Sequence, residues 1–494
     1  MSDALFWVTL GLLTAGTLWT LWRTRGRVTA ALVVPLAWLI LIPIPVIVRP
    51  YGTPTGLFPQ GFIGSPKDAM YISIAIANVS FLVFQLFITS SLFKRLQDRI
   101  VRFFEPKEKP DQRTNGDSLL RKWVLGLSIV AIGLGVIHLV LMPRVPVWDL
   151  VTGFVDPLQP NYDREAADKF LPVPTIIRYV FDWNQGILFP IMFTATVLMR
   201  WRVLAIVVGV FGFIYVTSTF EKFPSLLFVA GPFIAIAVRD SRPVWSKVVV
   251  GGLLLSLLGP LAVSEAPSVA ISVHQALNIM PSASQAPKLD PSITTPVPGC
   301  EFTAIPLAPS QFSWKDIPGA VKNILVHRIG VIPAEVTYGW FAYFPAQQSF
   351  LNGSGWAPWN VLRSGYRNPA NLVGLWMYCG HAETLPTVSA YGSFIADGWG
   401  ELGYLGVLIA CLGMILFGLV LEFVRAFVSK PFCLALYGPS LLLFASLPSR
   451  AGLLATVISS GLWMVPVLCV LFLASERLSG RSERRVASFE GAQS

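Results

Sequence analysis

The stretch Gly392-Ser393-Phe394-Ile395-Ala396-Asp397-Gly398-Trp399-Gly400-Glu401-Leu402-Gly403-Tyr404-Leu405-Gly406 decides how the chain is read. Before it lies a segment, residues 266 to 398, too polar and proline-rich to cross a bilayer. After it, near Trp399, begins an apolar run of membrane length. Such a run needs about 20 mainly apolar residues, because hydrocarbon offers no partner to an unpaired backbone N–H or C=O. The stretch is therefore the junction between a membrane part and a large polar loop.

Working outward, the whole composition agrees with that reading. The chain of 494 residues is 54% hydrophobic and 13% charged, with a mean hydropathy of +0.63. Soluble proteins average about 45–50% apolar and about 25% charged residues. The expected fold class is an all-α polytopic membrane protein. The net charge of +10 sits in short clusters between apolar runs, which marks cytoplasmic loops and argues against nucleic acid as a partner. Five cysteines and four scattered histidines show no metal-ligand spacing, so neither a metal nor another cofactor is expected. Cys300 and Cys379 fall in the polar loop, as a disulfide if that side is oxidising or as two separate thiols.

By the length criterion about eleven spans are expected. They cover residues 4–22, 28–48, 70–92, 123–142, 182–199, 203–219, 224–238, 248–264, 400–424, 433–447 and 453–474. Alternating loops then place Arg23 to Arg27, the loop 93–122, Arg200 with Arg202, Arg239 to Lys247, Arg425 with Lys430, and the tail after 476 on one side, the basic and hence cytoplasmic one. Residues 1–265 thus carry eight spans, with the inner loop 93–122 read as a solvated connector and 143–181 as an outer loop. Residues 266–398 form a large, partly helical extracytoplasmic loop, 399–475 carry three spans, and 476–494 form a cytoplasmic tail. The N-terminus is expected outside and the C-terminus inside. The first apolar run has no basic residue before it and three arginines after it, which suits a retained helix.

The large loop holds the residues suited to chemistry. Residues 280–312 are rich in Pro, Ser, Thr and Ala and read as irregular chain, whereas 317–328 and 333–344 read as helical. Arg328 offers a planar, permanently charged fork for a pyrophosphate, and Arg363 with Arg367 can converge on the same anion. His327 and His381 are candidates for proton transfer or for a sugar hydroxyl. Because neighbours on a helix point about 100° apart, His327 and Arg328 do not both face one small ligand. Glu335, Glu383, Asp397 and Glu401 are the carboxylates available to deprotonate a hydroxyl. Asp397 and Glu401 stand one turn apart at the start of a membrane helix, where they serve either as a base or as a cap. Tyr338, Trp340 and the other loop aromatics offer faces for sugar rings, and Lys222, on the turn after Glu221, is a further substrate contact or an interfacial anchor.

The closing block Ser393 to Gly406 resembles the small-residue and Asp pattern that precedes a late helix in Wzy-type polysaccharide repeat-unit polymerases. Arg328-Ile329-Gly330 to Pro333-Ala334, with Phe344-Pro345 and Phe350 to Gly353, is similar to the arginine-led part of their outer loop, and Leu454 to Leu462 to their last helix. The resemblance covers the second half of the chain; His327 has no counterpart in it. It implies a metal-independent, inverting GT-C-like glycosyltransferase of the bacterial inner membrane, acting on undecaprenyl-pyrophosphate-linked oligosaccharides. A chain-length regulator and a flippase are the implied protein partners. On this reading Arg328 holds the pyrophosphate, Arg363 or Arg367 assists, and Glu335, Asp397 or His327 is the base. An O-antigen-ligase-like transferase would use the same donor with another acceptor. A lipid-linked-sugar flippase would instead call for pseudo-symmetric halves and charges within the helices.

Overall fold

The computed structural model describes residues 1–48, 62–104, 113–142, 145, 171–218, 222–239, 332–356, 368–377, 390–450 and 452–490. Among them every regular element is a helix. The first group is α1 (Ser2–Arg23), α2 (Ala30–Leu41), α3 (Pro43–Val48) and α4 (Gly64–Ile88). α1 buries Ser2, Phe6, Thr9, Leu13, Thr17 and Thr20, a stripe at three- and four-residue spacing, and exposes Leu5, Val8, Leu12, Leu18 and Leu21. In lipid that polarity is inverted relative to a soluble helix: small and hydroxyl-bearing residues face the neighbour, where they pack closely and hydrogen-bond. Asn78 of α4 accepts from Trp38 Nε1 at 2.8 Å and donates to Thr9 Oγ1 at 3.3 Å, while Gln85 donates to Thr17 Oγ1 and to the Ala31 carbonyl, both at 3.1 Å. Ser2 bonds Asp68, and Lys67 pairs with Asp3 at 2.9 Å. α1 and α4 are thereby parallel, with α2 antiparallel between them.

The chain continues through α5 (Ser91–Phe104), α6 (Arg113–Leu141) and α7 (Thr175–Trp183). α7 runs through a π turn, Asn184–Leu188, into α8 (Phe189–Leu198), followed by α9 (Arg202–Ser218) and α10 (Lys222–Arg239). α11 (Ile332–Tyr343) and α12 (Pro369–Met377) belong to the polar loop; α13 (Phe394–Leu402), α14 (Tyr404–Arg425), α15 (Pro431–Ala445), α16 (Leu447–Arg450), a π turn at Ala455–Ser459 and α17 (Met464–Glu490) complete the chain. Among the described residues five helices are long and apolar enough to cross a membrane: Ser2–Arg23, Ala30–Ile47, Gly64–Ile88, Ser118–Leu141 and Tyr404–Arg425. Shorter apolar helices are Arg202–Ser218, Phe223–Arg239 and Pro431–Ala445.

Several expected boundaries move. The connector 93–122 is helical where described, because Phe93 and Phe104 pack on Phe423 and Phe427 with ring centroids 5.3 and 5.8 Å apart. The loop expected over 143–181 already ends at Thr175, where α7 starts. Span 453–474 is interrupted: after the π turn, Gly461 takes φ +78° and the helix resumes at Met464. The expected span 248–264 lies outside the described residues.

Both ends of the bundle are defined by contacts. Lys430 pairs with Glu476 at 2.8 Å, Trp123 Nε1 donates to Ser475 Oγ at 3.0 Å, and Arg477 lies over the Phe103 ring. Gly231 against Pro439 and Ala235 against Gly438 make α10 and α15 antiparallel, so Arg239 points to this same end. At the far end stand Asp3, Lys67, Asp68 and Tyr404; the 22 residues of α14 separate it from Arg425 by about 33 Å, the span of a hydrocarbon core. The helices thus align the basic clusters at one end. Glu422 of α14 is a charge fully buried within a membrane-length helix. Its carboxylate accepts from the Ala30 N–H at 2.6 Å and from Tyr437 at 3.3 Å, and it pairs with Arg425, so it caps α2 from another helix.

Candidate functional site

The junction stretch does not run straight into a membrane span, as its reading above assumed. Gly403 has φ +60° and ψ −139°, a conformation open to glycine because a Cβ would clash there, and it ends α13 after nine residues. The chain then reverses into α14. A side chain on Gly406 would run into the Gly398 carbonyl, so the two helices touch backbone to backbone as a tight hairpin. Gly403 therefore lies at the end with Asp68, and the start of α13 lies deeper. There Phe394 packs on Trp38 and Phe81 at 5.4 and 6.1 Å between centroids. α13 is too short to cross a bilayer; it is a half-helix inserted into the bundle, where irregular backbone is tolerated because protein surrounds it.

Ser393 caps α13, its Oγ accepting from the Ala396 N–H at 3.4 Å. Asp397, in the first turn, is partly exposed and lies against Gly452, where any side chain would meet its carboxylate. Glu401, one turn on, is fully buried. Its Oε2 accepts from the Gly355 N–H at 3.2 Å, and its Oε1 has no hydrogen-bond partner among the described residues. The turn 351–355 clamps the same helix end, Leu351 N–H donating to the Gly400 carbonyl at 3.1 Å and Asn352 N–H to that of Glu401 at 2.8 Å. The two carboxylates stand one turn apart on the same half-helix.

Comparison of the chain with known protein families, with curated proteins and with solved structures found no match. The fold stands as an all-helical one with several membrane-length helices.

Of the residues singled out from the sequence, Asp397 stands at the centre of this arrangement, and Trp340 borders it. The Trp340 indole is 2% exposed, packs on Gly392 and Gly400, and donates to the Ala390 carbonyl at 2.8 Å. In this arrangement it packs α11 on α13. Tyr338 faces elsewhere, its hydroxyl donating to the Ile63 carbonyl at 3.1 Å and its ring 4.6 Å from Phe62. Glu335, in the first turn of α11, is buried. Lys222 is the first residue of α10, and its side chain lies outside the described residues. His327, Arg328, Arg363, Arg367, His381, Glu383, Cys300 and Cys379 also lie outside them. Glu401 is one of the carboxylates that the sequence offers; its closeness to Gly355 is a tertiary fact. Its one local signal is the four-residue spacing from Asp397.

Proposed function

We propose that this protein is a membrane glycosyltransferase that polymerises undecaprenyl-pyrophosphate-linked oligosaccharide repeat units into a surface polysaccharide. The observation that carries the reading is the Asp397–Glu401 pair. It stands on a half-helix at the bundle end opposite the basic clusters, with Glu401 fully buried and its Oε1 without a hydrogen-bond partner among the described residues. A positioned carboxylate is a general base for a hydroxyl. If the basic end is cytoplasmic, the pair faces the outer side, where lipid-linked repeats are joined.

The chemistry is direct displacement. A hydroxyl of the acceptor sugar attacks the anomeric carbon of the donor; its proton passes to Asp397, the bond to the pyrophosphate oxygen breaks, and the configuration inverts. Pyrophosphate carries its own negative charge away, so cationic groups that stabilise it replace a general acid. The arginines that suit this role are Arg328, four residues before Ile332 of α11, and Arg363 and Arg367, just ahead of α12. α11 packs directly on α13 through Trp340, Phe341 and Trp399. The buried Glu401 is a positioning residue: its carboxylate ties α13 to the turn 351–355 through the Gly355 N–H.

Purified protein given a defined lipid-linked repeat unit tests the arginine assignment. Arg328→Ala should slow release of polyprenyl pyrophosphate by about 2–4 kcal/mol of transition-state stabilisation, on the order of a hundredfold or more. A wild-type rate removes Arg328 from the mechanism. A ladder of products identifies polymerisation, and a single addition to a lipid core identifies ligation.

A further inference from the structure

A second site lies at the opposite, basic end of the bundle. Between α6 and the turn joining α8 to α9 is an open groove of about 690 Å³. Its mouth carries four cations, Arg121, Lys122, Arg200 and Arg202, and among the described residues no acidic one lines it. Among the described residues none of the four has a carboxylate partner. Beyond the mouth the wall is apolar, formed by Leu125, Val203 and Val207, which are 49%, 77% and 47% exposed and so open toward lipid.

Two details bear on how Arg121 and Arg200 are placed. The Arg121 guanidinium lies over the Trp201 ring, 5.8 Å from its centroid, which ties α6 to the turn. Arg200 takes φ +57°, closing α8 through Arg200 N–H to the Val197 carbonyl and Trp201 N–H to that of Thr196. Glycine is the usual residue in that conformation, so the turn carries an arginine side chain at a backbone cost.

We infer that this groove binds an anionic phospholipid, its phosphate among Arg121, Lys122, Arg200 and Arg202 and an acyl chain along Leu125, Val203 and Val207. Charge complementarity selects the occupant: four cations without a carboxylate partner among the described residues meet a headgroup phosphate, and the apolar wall begins where the acyl chains do. Basic grooves between membrane helices at the cytoplasmic face recognise lipid headgroups in this way. The site is independent of the carboxylate pair, which stands at the other end of α14.

Native mass spectrometry of the full-length protein in detergent, titrated with phosphatidylglycerol or phosphatidylcholine of equal chain length, tests it. Phosphatidylglycerol should bind at least tenfold more tightly. The Arg121→Gln/Arg200→Gln/Arg202→Gln variant should weaken it on the order of a hundredfold, from roughly fivefold per cation, and leave phosphatidylcholine unchanged. Glycerol phosphate, which has the headgroup charge without the chains, should compete poorly. Raising salt on the wild-type protein should mimic the variant and needs no change of fold. Equal binding of the two lipids, a triple variant that binds phosphatidylglycerol as the wild type does, affinity indifferent to salt, or competition by glycerol phosphate as effective as by lipid would each overturn the inference.

Discussion

Asp397→Asn should leave the fold intact and slow glycan transfer by about 10²–10⁴-fold, the range for removing a general base. Asparagine matches aspartate in shape and fits the same place beside Gly452. A folding defect is therefore not expected to mask the catalytic one. In the wild type the rate should climb with pH and level off once the base is ionised, because only the carboxylate accepts the proton. Glu401→Gln sharpens the test, since it keeps an acceptor for the Gly355 N–H. Its loss in kcat should be smaller than that of Asp397→Asn, as befits a positioning residue. Initial rates between pH 5 and 9 distinguish these outcomes, and a variant with unaltered rate and profile would exclude Asp397 as the base.

Glu422→Ala should cost the fold about 2–4 kcal/mol, by losing a helix cap and leaving a cation without its partner. The carboxylate is fully buried and serves the Ala30 N–H, the Tyr437 hydroxyl and Arg425 together. Arg425 is 28% exposed, so water relieves part of the penalty, which keeps the estimate below that of a wholly buried pair. Glu422→Gln retains an acceptor for the Ala30 N–H and should lose less. Thermal unfolding in detergent reads the order: wild type, Gln, then Ala. Equal Tm values for all three would mean that the cluster contributes nothing to holding α2 against α14.

These two sites differ in how much of them the sequence discloses. The membrane class and the helix Ile332–Tyr343 follow from local pattern, because apolar length and 3.6-residue spacing are properties of neighbouring residues. The alignment of Arg425, Lys430, Arg121 and Arg239 at one end also follows from the loops alone. The break at Gly403 is harder. An apolar run with small residues reads as one helix, and only the positive φ separates α13 from α14. Asp397 and Glu401 mark a helix start in the sequence, yet the depth of Phe394 beside Trp38 depends on helices more than 300 residues away. Glu422 is the clearest case. Its partner Ala30 is 392 residues distant, and nothing near Glu422 announces a helix in need of a cap. Trp340 shows the reverse, since a loop aromatic suited to a sugar ring is here packed on two glycines.

The central claim is that the α13 carboxylates serve glycan transfer from a polyprenyl pyrophosphate. The most direct measurement combines purified wild-type and Asp397→Asn proteins with one defined lipid-linked repeat unit, following polyprenyl pyrophosphate release and product length together. The account predicts a ladder of lengthening glycan, one polyprenyl pyrophosphate released per joined repeat, and loss of both in the variant. Release and lengthening that continue unchanged in Asp397→Asn, or a properly folded wild-type protein that releases none, would contradict it.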